Sequence, residues 1–251
     1  MKNTQSYQPR QGRIGCILVH GLTGTPWVFE ELAENLRRMG ITASVPLLPG
    51  HGTRPEELIG ISWQAWVEAV RAEIRRMHSS CECLFLLGLS VGGAIVLYLS
   101  SESPVNGVIS LSAPIRFRGG WVRWLPLMKP FVRFWKKRRR PEFTEAGYDR
   151  YPLAALSEML LFLKEAEKRL PQVTCPALIL HSKGDRTVSS ENAQLIFDSI
   201  RSASKRKVLL EHPFHSITKG EDKPLVHREV LAFIRANSRF EKEGAHGQNQ
   251  C

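Results

Sequence analysis

Met1 to Arg13 is polar and lacks the apolar stretch of about 7–15 residues that a secretory signal needs, so no secretory leader is expected. Cys16 has no such stretch before it, so a lipid-anchored cysteine is not expected there. Cysteine is scarce, and Cys16, Cys81, Cys83, Cys175 and Cys251 are an odd number without C-x-x-C or metal-ligand spacing. A disulfide scaffold and a metal centre therefore have no basis in the sequence, and a reducing, cytoplasmic setting is expected. Cys83 to Ser101 is free of charge and just long enough for a bilayer, but Gly88, Gly92 and Gly93 surround a serine within it. It reads as buried strand, turn and helix, so no transmembrane segment is expected. Acidic residues are missing between Ile115 and Pro141, where ten basic residues carry +10 of the net charge of +11. The rest is nearly neutral, which argues against a surface built throughout to grip nucleic acid. Internal repeats are absent, and the one low-complexity tract is the polar tail Glu241–Cys251.

What remains is an ordinary globular composition, 43% hydrophobic and 24% charged over 251 residues, for which a single domain with a packed core is expected. Short apolar runs at Ile14–His20, Thr42–Leu47, Cys83–Leu87, Gly107–Leu111, Ala177–His181 and Lys207–Leu210 predict strands. Helical patterns separate them. Pro26 to Met39 is stopped by Gly40, and Ser62 stands where it can cap a helix with Trp63, Trp66, Val67, Val70, Ile74 and Met77 on one stripe. Strands that are apolar throughout, each followed by a helix, indicate a parallel sheet covered on both faces. Ligands then bind beyond the carboxyl ends of the strands. The alternation breaks between Ala113 and Val173, where about sixty residues form an insertion. Its first half interleaves Phe117, Trp121, Trp124, Phe131, Phe134 and Trp135 with the ten cations, and its second half predicts a leucine-rich helix over Leu153–Arg169.

Gly88-Leu89-Ser90-Val91-Gly92 lies between the apolar run Cys83–Leu87 and a helical pattern, the context that gives G-x-S-x-G meaning. A nucleophile on a sharp turn needs neighbours without Cβ atoms, so that strand and helix can approach. A serine hydroxyl also needs a base, and the base an orienting carboxylate. Asp185 falls on the loop after Ala177–His181, and His212 and His215 on the loop after Lys207–Leu210. His215 is the candidate base, because it sits deeper in its loop and can reach back over the sheet. Asp198 and Asp222 fall within or beside helical patterns and read as surface charges, and Asp149 lies in the insertion. An oxyanion needs pre-aimed N–H donors, for which the candidates are Val91, next to the nucleophile, and Leu22, in His20-Gly21-Leu22-Thr23-Gly24-Thr25. His20, at a strand end, has a structural reading.

Together, His20-Gly21-Leu22-Thr23-Gly24, Pro49-Gly50-His51-Gly52, Gly88-Leu89-Ser90-Val91-Gly92-Gly93, Asp185 and His215 resemble the small bacterial carboxylesterases and monoacylglycerol lipases of the α/β-hydrolase superfamily. The resemblance covers nearly the whole chain. It implies an α/β-hydrolase fold, with a mostly parallel central sheet flanked by helices in residues 1–114 and 174–251. It also implies a small inserted cap, residues 115–173, over an acyl pocket. Ser90, His215 and Asp185 match the family's triad, and Leu22 and Val91 its two oxyanion donors. The family's catalytic histidine usually follows Ser-Gly, whereas His215 follows Pro213-Phe214.

The function expected is hydrolysis of short- to medium-chain acyl esters or monoacylglycerols through an acyl-enzyme, with no metal or organic cofactor. Gly21, Trp121, Trp124, Met159 and Leu163 are the expected substrate contacts. A thioesterase or acyltransferase can share this machinery, because selectivity lies in the pocket and in water access. From a different class, the chain could be a lipid-surface binding protein on a hydrolase scaffold. The basic aromatic segment has the composition of a membrane-surface element that would contact lipid peripherally. The plainer reading packs its aromatics inward and leaves the cations solvated. The run Lys136–Arg140 has no nucleic-acid-reading fold behind it, and no nucleic-acid partner is expected.

Overall fold

A computed structural model of the chain describes residues 13–117, 132–137 and 147–238. Six strands form one sheet: β1 (Ile14–Val19), β2 (Thr42–Ser44), β3 (Cys83–Leu89), β4 (Gly107–Leu111), β7 (Ala177–Ser182) and β8 (Lys205–Leu210). Their order is β2-β1-β3-β4-β7-β8, and every pair is parallel. A second, antiparallel ribbon pairs β5 (Phe134–Lys136) with β6 (Arg150–Pro152). The helices are α1 (Glu30–Arg38), α2 (Trp63–His78), α3 (Val91–Ser100), α4 (Leu153–Arg169), α5 (Glu191–Ser199) and α6 (Lys223–Asn237).

The two-residue period of a strand explains why continuous apolar runs suit this sheet. Ile17 and Val19 of β1 and Leu84 and Leu86 of β3 enter one core cluster, with α2, α3, α4 and α5. Their neighbours Cys16, Leu18, Cys83, Phe85 and Leu87 enter the other, with α1 and α6. Burying one such side chain contributes about 1.5–3 kcal/mol. An exposed ion pair such as Arg75–Glu68 on α2 is screened by water and contributes little, so the two apolar layers hold the fold.

Three local features differ from the sequence reading. The segment expected to be one helix from Pro26 starts as a 3-10 turn, Pro26–Phe29, before α1. Ser62 stands at the N-cap of α2, but its side chain makes no capping bond. The Trp63 N–H instead donates to Glu158 Oε2 at 3.1 Å, so a carboxylate from α4 caps α2. The ribbon β5–β6 was not anticipated, because three-residue strands are too short to show alternation.

Candidate active site

Ser90 joins β3 to α3 with φ +57° and ψ −127°, a conformation that costs a non-glycine residue free energy and persists only when its surroundings impose it. The Ser90 N–H donates to Leu111 O on β4 at 2.8 Å, and Ser90 O accepts from Gly93 N–H at 2.8 Å. Glycine is required around it for space. A Cβ on Gly92 would lie 2.0 Å from Val19 O, and one on Gly88 would lie 2.1 Å from Gly92 O. The strand and helix cross too closely for any side chain there.

Asp185 follows β7 and is buried. Its Oδ1 accepts the N–H groups of Thr187 at 2.8 Å and Val188 at 3.1 Å. Its Oδ2 accepts from His215 Nδ1 at 2.6 Å, with His181 Nε2 at 3.5 Å. Burial alone would raise the carboxyl's pKa, but hydrogen bonds from His181 and His215 and the field of His215 outweigh it. Asp185 is held well below the ordinary carboxylate range. With Nδ1 donating to Asp185, His215 Nε2 keeps the lone pair a general base uses. The Ser90 hydroxyl and the His215 ring share no hydrogen bond among the described residues. His212 points elsewhere, with Nδ1 2.9 Å from Asp222 Oδ1 and Nε2 3.1 Å from Glu221 Oε2. Asp222, read from sequence as a surface charge, is thus the partner of the other histidine.

The loop after β1 is wedged against the serine: a Cβ on Gly21 would meet Ser90 Cβ at 2.9 Å. Gly21 O accepts from Gly24 N–H and from His20 Nδ1, both at 3.0 Å. Because the peptide is planar and trans, holding that carbonyl aims the Leu22 N–H in the opposite direction. Neither the Leu22 nor the Val91 N–H has an acceptor among the described residues, and Val91 opens α3, where the helix leaves N–H groups unsatisfied. His20 is fully buried and its Nε2 accepts from Leu48 N–H at 3.2 Å. Burial and the neighbouring His51 push its pKa down to about 3, so the ring is a neutral strut.

Met159 and Leu163, expected at the substrate, lie on α4 in the same apolar cluster as Val91. Trp121 and Trp124 fall outside the described residues. Three contributors escaped the sequence reading. His181 shares Val188 O and Asp185, and its four-residue spacing from Asp185 was the available signal. The Ser182 hydroxyl donates to His212 O at 2.5 Å and pins the loop that carries His215. Tyr148, whose OH donates to Gly50 O at 2.9 Å, gave no sequence signal.

A strained serine after the third strand, with the aspartate and histidine bonded to each other on loops after β7 and β8, invites comparison with known hydrolases. A family model described as "Alpha/beta hydrolase family" matches residues 16–215. This chain belongs to that family. The α/β-hydrolase is 30% identical to the thermostable monoacylglycerol lipase of Bacillus sp. (strain H-257) over 238 residues, 93% of this chain and 95% of the relative. It is 25% identical to a carboxylesterase of Bacillus subtilis (strain 168), over 87% and 91% of the two chains. Among solved structures it resembles one of two metagenome-derived lipolytic enzymes, with TM-score 0.89, 30% identity and coverage of 94% of this chain and 99% of that one. A Paleococcus ferrophilus monoacylglycerol lipase shares the fold at TM-score 0.79 and 18% identity, over 93% and 100% of the two chains.

Proposed function

We propose that this α/β-hydrolase is a serine carboxylic-ester hydrolase acting on short- to medium-chain acyl esters or monoacylglycerols. The observation that carries the reading is Ser90, held at positive φ between β3 and α3 on the same sheet as the Asp185–His215 pair. The similarity to enzymes named monoacylglycerol lipase and carboxylesterase supports the substrate class.

In this reading Ser90 Oγ attacks the acyl carbonyl as His215 Nε2 takes its proton. The Leu22 and Val91 N–H groups receive the oxyanion, and His215 then protonates the departing alcohol. Water attacks the acyl-serine in a second half-reaction with His215 again as base, while Asp185 keeps the imidazole in one tautomer and stabilises its charged form. Residues 115–173 act as a cap over a core of residues 1–114 and 174–251. Gly21, Met159 and Leu163 contact the acyl part, together with Trp121 and Trp124. The exposed Trp135, with Arg133 and Lys136 beside it, suits peripheral contact with an anionic lipid surface. A cytoplasmic setting accords with four free cysteines among the described residues, and no described helix is long and apolar enough to cross a membrane.

Replacing Ser90 by Ala tests the reading. Hydrolysis of a nitrophenyl ester is expected to fall by about 10⁴-fold or more, and labelling by a fluorophosphonate to vanish. Wild-type turnover by S90A would sink it. Monoglycerides and acyl-CoA in the same assay rank ester against thioester, and vesicle binding that ignores salt would remove the electrostatic part of the lipid contact.

A further inference from the structure

The segment Leu22-Thr23-Gly24 is an unstable shape for its sequence. Thr23 is β-branched, fully buried and at φ +62°, so the conformation has to be imposed from outside. The constraint comes from the region of the ribbon β5–β6. Tyr148 N–H donates to Thr23 O at 3.0 Å, and Gly147 lies so close that a Cβ there would be 2.2 Å from the same oxygen. The Thr23 hydroxyl donates to Leu22 O at 2.6 Å. That hydroxyl in turn accepts a hydrogen bond from Lys137 Nζ.

Lys137 follows β5, and its backbone N–H donates to Asp149 O at 3.0 Å, which continues the ribbon's ladder. Its ammonium lies 4.6 Å from the centre of the Tyr151 ring, a cation–π contact. Unlike Lys136, its neighbour in the basic run, Lys137 does not point into solvent. A long, flexible side chain is held with its charge one residue from the proposed oxyanion donor, where a salt link to a carboxylate would have been the ordinary arrangement.

We infer that Lys137 is a positioning residue for the reaction: through Thr23 it locks the loop that aims the Leu22 N–H, and its charge favours negative charge developing there. The role rests on the serine-hydrolase reading. The lysine donates to the hydroxyl, the hydroxyl donates to the Leu22 carbonyl, and the peptide planes on both sides of Leu22 are then fixed, one by Thr23 and one by Gly24 and His20. Burial brings the lysine's pKa down to about 8, with Asp149 pulling the other way. The groups facing it are Asp149, the Tyr151 ring, the Thr23 hydroxyl and, from the loop after β2, His51, which stays neutral with a pKa lowered to about 4, chiefly by burial. The ammonium is therefore charged at neutral pH and loses its proton in mild alkali. Its bond to Thr23 is then weaker and the field on the oxyanion is gone.

The test uses full-length wild type, Lys137→Met and Lys137→Arg, with kcat and KM for a neutral nitrophenyl ester followed from about pH 6 to about pH 10. The affinity of a trifluoromethyl ketone, which forms a tetrahedral adduct with the serine, is measured alongside. Loss of a whole oxyanion donor lowers kcat by about 10²–10³-fold, so loosening one predicts a fall of about tenfold for K137M, with KM within about twofold. Inhibitor affinity falls by the same factor, because only binding of the tetrahedral state is affected. Wild-type kcat declines as pH rises through about 8, K137M lacks that decline, and K137R keeps most of kcat without it, since arginine stays charged. Should K137M fold poorly, the K137R pH profile still decides. K137M with wild-type kcat and inhibitor affinity, or K137R with the wild-type alkaline decline, would overturn the role. Failure of the underlying reading is distinct: S90A would then turn over as fast as wild type whatever the lysine variants do.

Discussion

Two histidines three residues apart on one loop each face an aspartate, and the surroundings make them different instruments. His215 leaves only 17% of its side chain exposed and bonds to a carboxylate that is fully enclosed, with two backbone N–H groups and His181 against the same aspartate. His212 is 47% exposed and bonds to Asp222 beside Glu221 at the start of α6. Water reaches and screens the second pair through the exposed ring of His212, while the first is shielded from it. Only an imidazole whose tautomer is enforced serves as a dependable base, so exposure separates the catalytic candidate from a surface clamp.

Removing the rings breaks the comparison most sharply. His215→Ala is expected to lower kcat by about 10⁴-fold or more, and His212→Ala to leave it within about twofold, both measured on a nitrophenyl ester. The reverse order would exchange their roles. The carboxylates come next. Asp185→Asn should cost about 10³–10⁴-fold in kcat by releasing the tautomer, whereas Asp222→Asn should leave turnover intact.

Acidity separates buried from exposed histidines by sign. His20 and His51 have native pKa values lowered to about 3 and about 4, so between those values and the unfolded value near 6.5 the unfolded chain binds protons that the native state refuses. Stability should therefore fall as pH drops below about 6.5, by several kcal/mol in order of magnitude, in denaturant titrations at pH 7 and pH 5. A flat profile would mean these rings are not enclosed. His212 has the opposite and smallest effect. Its pKa is raised, first by the bond to Asp222, so its contribution is present below the unfolded value and is lost as pH rises through the native one. The difference in melting temperature between wild type and His212→Gln should be visible in mild acid and vanish in mild alkali.

The same contrast separates what could be read along the chain from what could not. All six strands of the main sheet and the helix Leu153–Arg169 were legible: burial on both faces demands unbroken apolar runs in β1, β3, β4 and β7, the edge strand β8 showed through its apolar end Val208–Leu210, and one buried helical face demands a 3.6-residue stripe. Ser90, Asp185 and His215 stood out because sharp turns at strand ends need glycine and polar residues there. Lys137 was hidden within five consecutive cations. Nothing in that run marks one of them as turned inward under the ring of Tyr151, since the contact depends on two short strands pairing and on a loop from the far end of the chain.

What the amino-acid order determined by itself was set by local period and turn chemistry: the six strands of the main sheet, the helices with an apolar stripe, the elbow around Ser90 and the loops after β7 and β8. Tertiary structure alone decided which aspartate meets which histidine, that Glu158 caps a helix in place of Ser62, and that the cation at 137 reaches Thr23. Those contacts join residues from 10 to 114 positions apart, and the energy that selects among them comes from burial and exclusion of water. Neither exists until the chain has packed.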